Sequence, residues 1–194
     1  MLENNIEYIS EKYSKDDYVN LHLDINSNND TWKIAIDIFT SRFNERYFNP
    51  IKKLLKCPRK NGFAIMALNC LLIDTFYQFE NGVNSTSIHN KEKYVSFLLN
   101  NLSSIIASED IAIKFYKSIR CGILHSAQTK DGSTLCYKSN DAIEYRNNHN
   151  SINVNVCKFS DEMLIYFNNY ISRLNSGYLN TRKNFIKKMN YIFS

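Results

Sequence analysis

Between Phe63 and Phe79 the chain places apolar side chains on nearly every side of a helix. A helix that is apolar all round is stable only when other elements cover it, so this segment is predicted to be central and buried, with the rest of the chain wrapped about it. Asn61 is placed to cap its start and Gly82 to mark its end. One ionisable residue, Asp74, sits inside the apolar run. An ionised carboxylate in such a place needs a cation or hydrogen-bond donors. The bland outcome is a partly exposed carboxylate paired with a Lys or Arg. The functional outcome is a carboxylate that orients a catalytic cation, and both hold if the partner is Arg120.

The segments around it carry helical spacing as well. Trp32, Ile36, Phe39, Phe43 and Tyr47 mark an amphipathic helix that the loop Asn26–Asp30 can cap. Asn49-Pro50 predicts a kink or fresh start, because proline suits the first helical position. Tyr94, Phe97, Leu98 and Leu102 suggest a third helix. Ser108 caps a fourth, with Glu109 and Asp110 in its first turn, where the helix dipole favours them, and Ile111, Phe115, Ile119 and Ile123 as its core stripe. Residues 133–157 change character: 133–138, 142–146 and 152–157 read as short strands between Asn- and Asp-rich turns. Ser160 opens a final helix, which Gly177 interrupts ahead of a basic stretch with Arg182, Lys183, Lys187 and Lys188.

At the other end, Leu2, Ile6, Ile9 and Tyr13 space as a short helix. Val19, Leu21, Leu23 and Ile25 alternate as a strand. The expected architecture is mainly α: one domain over 1–194, with a helical core from 30–127 and 160–194. A small β-meander over 133–157 is inserted before the C-terminal helix, and a strand at 18–25 is expected to join it.

The 194 residues carry a formal net charge of +5, which permits a polyanionic partner without requiring one. Five cysteines form no CxxC pair and leave one over, so a disulfide framework is not expected and a reducing, cytoplasmic setting fits. No signal peptide is read at the N-terminus, and no apolar run approaches the roughly 18 residues of a membrane span, so no membrane partner is expected. Cys136, Cys157, His125 and His149 lack the tight local pairs of zinc sites, and neither a metal nor a cofactor is expected. A Gly-rich phosphate loop and a GxSxG elbow are both missing. The 13 Tyr and 12 Phe fall mostly at helical spacing, as core residues do.

Against this background the run Arg120-Cys-Gly-Ile-Leu-His125 stands out. Arg is a permanent cation that grips phosphate, and His exchanges protons near neutral pH. On a straight helix five positions amount to about 140° of rotation and about 7.5 Å of rise, so the two side chains diverge. A distortion at Gly122, or a two-fold axis joining two copies, would gather them.

A helical bundle with Arg-x4-His late in a helix, after a buried helix carrying an acid, resembles the HEPN superfamily. The words Leu71-Leu-Ile-Asp-Thr-Phe76 and Ile119-Arg-Cys-Gly-Ile-Leu-His-Ser-Ala127 resemble bacterial members of unknown or defence-related role. The resemblance covers about residues 30–127 and the last helix. It implies an antiparallel bundle, often a homodimer, in which Arg120, His125 and Asp74 form the site of a metal-independent endoribonuclease acting on single-stranded RNA. It equally allows a non-catalytic module that dimerises or binds a nucleotide, RNA, or an antitoxin or defence-system protein. Active members commonly carry Asn, Asp or His after the Arg, where this chain has Cys121, a weak hydrogen-bonding group.

Overall fold

The computed structural model of the protein describes residues 7–86, 89–146, 148 and 150–194. The described chain is mainly helical, with one three-stranded sheet ahead of the last two helices. It divides into two compact units, each built from separate stretches of sequence. The first comprises Met1–Pro50, Gln78–Asn84 and Asn168–Ser194, and the second Ile51–Tyr77 and Ser85–Phe167.

In the first unit, residues 7–14 form a tight turn closed by a bridge between Tyr8 and Ser14, not a helix; Leu2 and Ile6 lie outside the described residues. No strand forms at 18–25: helix α1 (Lys15–Val19) covers its start, and an irregular turn with His22 at φ 44° covers the rest. Ser14 and Asp17 form a reciprocal capping box at the head of α1, and these local hydrogen bonds make the start of the alternating stretch helical. Helix α2 (Asn29–Phe43) is capped by Asn28, which accepts from the Thr31 amide, and buries Trp32, Ile36, Phe39 and Phe43. Phe39 packs edge-on against Phe79 and Phe185, the latter from the C-terminal helix. A π-turn, Asn44–Phe48, follows, in which the Asn49 amide bonds the Asn44 carbonyl. Pro50, which has no amide hydrogen, interrupts the ordinary ladder just after it.

Helix α3 (Asn49–Lys56) leads to the long apolar helix α4 (Gly62–Asn81). Contrary to the expectation that no segment would qualify, α4 is long and apolar enough to cross a membrane, but half of its apolar window is buried within the fold, as in a core helix. Its inward side chains in the second unit, Ile65, Met66, Cys70, Leu72, Ile73 and Phe76, are fully buried. Its interior Asn69 donates from Nδ2 to Ser160 at 2.9 Å, while Asn69 Oδ1 is buried without a partner among the described residues.

Helix α5 (Asn90–Asn101) is followed by a continuous helical rod in three parts. These are α6 (Glu109–Lys114), a π-turn Phe115–Arg120 and α7 (Cys121–Ser126). Ser108 caps the rod as expected, accepting from the Ile111 amide. A stripe spaced by four drifts about 40° per step on an α-helix. The wider π-turn takes up that drift, so Phe115, Ile119 and Ile123 all stay buried.

The sheet comprises β1 (Thr134–Cys136), β2 (Ile143–Arg146) and β3 (Ser151–Asn155). Its order is β1-β3-β2, with β1 parallel and β2 antiparallel to β3, so the sequential order of a meander is not what forms. Asn153 explains the central place of β3. Its Oδ1 accepts from Thr134 of β1 at 2.8 Å, and its Nδ2 donates to Glu144 of β2 at 3.0 Å. Helix α8 (Val156–Asn175) starts directly after β3, four residues before Ser160. Asn155 caps it by accepting from the Cys157 and Lys158 amides. Gly177, at φ 77°, separates α8 from α9 (Leu179–Phe193).

Candidate functional site

Asp74 stands on α4, Arg120 closes the π-turn, and His125 lies on α7; all three belong to the second unit. Arg120 joins the other two. Its Nη2 donates to Asp74 Oδ2 at 3.1 Å, and its Nη1 lies 3.0 Å from His125 Nε2. The Arg120 and Asp74 side chains are 14% and 17% exposed, whereas His125 is open to solvent. The cluster therefore has a desolvated ionic root and an accessible imidazole tip.

Arg120 and His125 meet within one chain, and α7 between them is regular, so neither a break at Gly122 nor a second copy is needed to gather them. Helical side chains lean toward the N-terminus, which tips His125 back over the turn of Arg120, and the long guanidinium arm spans what remains. Gly122 has a different task. A Cβ at this position would overlap the Gln128 carbonyl oxygen, because the chain after α7 folds back across the helix. Ala127 turns it at φ 51°, the Lys130 amide bonds the Ser118 carbonyl at 2.9 Å, and Ser118 Oγ donates to Asp131 at 2.8 Å. The segment that bears His125 is thereby tied to the π-turn that bears Arg120.

Two residues outside the sequence reading complete the cluster. Asn90, at the start of α5, donates from Nδ2 to Asp74 Oδ1 at 3.0 Å, and its Oδ1 accepts from the Tyr116 hydroxyl at 3.0 Å. Asp74 is thus held on both oxygens, and the Tyr116 ring lies 5.5 Å from the guanidinium carbon. Tyr116 precedes Arg120 by four, a helical neighbour spacing that marks it as a candidate. Asn90 gives no such signal, since an Asn opening a helix reads as a cap.

The electrostatics separate the charged pair from its neighbours. Burial works against the charge on Arg120, but the charge and hydrogen bond of Asp74 outweigh it, and the pKa is raised. Burial pushes the Tyr116 hydroxyl up to about 12, with a further contribution from its bond to Cys121. Burial likewise drives the Cys70 thiol up to about 12 and Tyr94 well above its ordinary value. Tyr116, Cys70 and Tyr94 therefore stay neutral at ordinary pH. Cys121 Sγ lies 4.0 Å from Arg120 Nη1, a weak contact. Arg120 Nε is buried and meets no acceptor among the described residues.

The remaining sequence candidates fall elsewhere. Of the cysteine and histidine set weighed for zinc, His149 lies outside the described residues. Among the described ones no group of three His, Cys, Asp or Glu is placed to hold a metal. The basic C-terminal stretch divides in two. Lys183 and Lys187 are exposed, but Lys188 is buried with Nζ donating to the Asn84 carbonyl at 2.9 Å, and Arg182 stacks on Trp32 at 4.2 Å. Half of that charge is spent on packing. The chain matches no protein-family model, no curated protein and no solved structure with which it was compared.

Proposed function

We propose that the protein is a metal-independent endoribonuclease of the HEPN type. It cleaves single-stranded RNA in the cytoplasm as a toxin or phage-defence effector, and an antitoxin or defence-system partner holds it in check. The observation that carries this reading is the Asp74–Arg120–His125 cluster, with a buried carboxylate behind a guanidinium that touches an exposed imidazole. Arg has no acceptor atom, so its contact with His125 is a hydrogen bond only when Nε2 carries the lone pair. That is the atom a base uses.

A phosphodiester entering the cluster would take over Arg120 Nη1 and release Nε2. Nε2 then accepts the proton of the ribose 2′-hydroxyl, and the 2′-oxygen attacks phosphorus. The P–O5′ bond breaks, the 5′-oxygen takes a proton from water, and the hydroxide left behind takes the proton from Nε2 and restores the base. The products are a 2′,3′-cyclic phosphate and a free 5′-hydroxyl. Arg120 stabilises the charge that grows on the non-bridging oxygens, and Asp74 holds the guanidinium in place without touching the RNA. A homodimer through Ser108–Ala127 belongs to the same reading; the exposed Leu124 next to His125 supports it.

The test is cleavage of single-stranded RNA in excess chelator. Activity should persist, and His125→Ala should lower it on the order of 10²- to 10⁴-fold. Activity that chelator abolishes and His125→Ala spares would overturn the reading. A second reading, a non-catalytic HEPN-like binding module, is favoured by Cys121 and by the way Arg120 already engages His125 in the free protein. It predicts RNA or nucleotide binding with no cleavage.

A further inference from the structure

The net charge of the chain is unevenly placed. The first unit holds ten Lys and Arg against ten Asp and Glu, while the second holds fourteen against nine and so carries the whole excess of +5. Within the second unit the excess is concentrated in Lys52, Lys53, Lys56, Arg59 and Lys60, on α3 and the turn after it. All five are exposed, and among the described residues none is paired with a carboxylate. No acidic residue occurs between Glu45 and Asp74. The same is true between Asp110 and Asp131, a stretch that contains Lys114, Lys117, Arg120 and His125. The two acid-free stretches come together where Asp74 meets Arg120.

We propose that the Lys52–Lys60 surface is the docking surface for the backbone of single-stranded RNA and delivers the strand to the Asp74–Arg120–His125 cluster. The proposal rests on the ribonuclease reading for the fate of the strand, but not for its binding. Five unpaired cations within nine residues match the phosphate spacing of a flexible polyanion, and self-repulsion among them is relieved when phosphates replace their counterions. Aromatic faces accompany them: Phe63, in the first turn of α4, is 42% exposed, and the Tyr137 ring lies 4.4 Å from Lys60 Nζ. Cations for the backbone and aromatic faces for the bases are what sequence-tolerant single-strand binding uses. A membrane surface fits less well. The apolar residues of α3 are turned into the protein, with Ile51 buried and Leu54 and Leu55 half-buried, so the helix offers lipid no apolar face. Along α4 the rise from Gly62, two residues after Lys60, to Asp74 is about 18 Å. A bound strand of about 4 nucleotides or more therefore bridges the two, within the range of known single-strand sites.

The experiment compares two charge-matched variants, Lys52→Gln/Lys56→Gln and Lys183→Gln/Lys187→Gln, by fluorescence anisotropy with a labelled single-stranded RNA across a salt series. The first variant should lose about 10-fold or more in affinity at about 50 mM salt and reduce the salt slope by about 1.4, near 0.7 per cation removed. The second should bind like the unaltered protein. Equal losses in both double variants, or none in the first, overturn the proposal. So does binding to phosphatidylserine vesicles that the first variant loses while RNA binding is unchanged. RNA that binds through Lys52 and Lys56 but is never cleaved sinks the ribonuclease reading and leaves the docking surface standing. RNA cleaved equally well by the first variant at limiting concentration does the reverse.

Discussion

Arg120 Nη1 lies 3.0 Å from His125 Nε2, a distance at which two cations would repel and a guanidinium and a neutral imidazole bond. A hydrogen bond between them requires the lone pair on Nε2 and the imidazole proton on Nδ1. Nitrogen-resolved NMR of the imidazole should show the Nδ1–H tautomer, and Arg120→Ala should let the two tautomers mix. Inorganic phosphate or a short RNA should shift the His125 ring resonances in the unaltered protein and much less in Arg120→Ala. A predominant Nε2–H tautomer would mean that the contact is not a hydrogen bond.

Asp74 has a charged partner on one oxygen and the Asn90 amide on the other. Asp74→Ala removes the counterion of a guanidinium that is 14% exposed and should cost about 3 kcal/mol in urea unfolding. Asn90→Ala breaks two hydrogen bonds around the same carboxylate and should cost about 1–3 kcal/mol. If Asn90 only supports the fold, cleavage at saturating RNA will follow the folded fraction. If it positions Asp74 and through it Arg120, kcat will fall several-fold in fully folded protein at low temperature.

Much of this arrangement was legible in the sequence. The apolar circumference of residues 63–79 predicts the central helix, and the isolated Asp74 within it predicts a cationic or hydrogen-bonding partner. Ser108, Asn28 and Gly82 mark helix ends because capping is local chemistry. Tertiary chemistry was not legible. Alternation at 19–25 is a weak period-2 signal; the Ser14–Asp17 capping box makes its start helical, and His22 at φ 44° turns the chain beyond it. The middle place of β3 depends on one Asn153 amide that bonds both neighbours, which no spacing reveals. The π-turns do leave a trace, in the stripes Phe39-Phe43-Tyr47-Ile51 and Phe115-Ile119-Ile123, which hold a spacing of four longer than an α-helix tolerates. Asn90 joins the cluster only through the packing of α5 on the rod.

Gly122 is fixed by contact and not by backbone conformation. Adding a methyl group would force the returning chain at Gln128 off α7 and strain the Lys130–Ser118 bond. Gly122→Ala should destabilise the protein by about 1–3 kcal/mol, the usual cost of overpacking, despite the higher helix propensity of Ala. Faster amide exchange at Lys130 should accompany the loss. A Gly122→Ala protein as stable as the original, with Lys130 still protected, would show that the return segment is not anchored there.

The buried thiol and hydroxyls around the ion pair predict how the fold responds to alkali. Burial raises the Cys70 thiol to about 12 from an ordinary value near 9, and raises Tyr116 to about 12 from near 10. The native state holds these protons where the unfolded chain gives them up. The stabilisation is therefore complete below about pH 9 and is lost as pH climbs from there toward 12. Urea unfolding between pH 8 and 11 should show stability falling with pH, beginning near the ordinary thiol value. Cys70→Ala lowers stability at every pH by leaving a small cavity, so the diagnostic is the slope and not the level. In that variant the fall should begin about one pH unit later, where the tyrosines take over. Parallel curves for the two proteins would show that Cys70 ionises as freely in the native state as in the unfolded chain, and is not the sealed neutral group that its place behind Arg120 and Tyr94 implies.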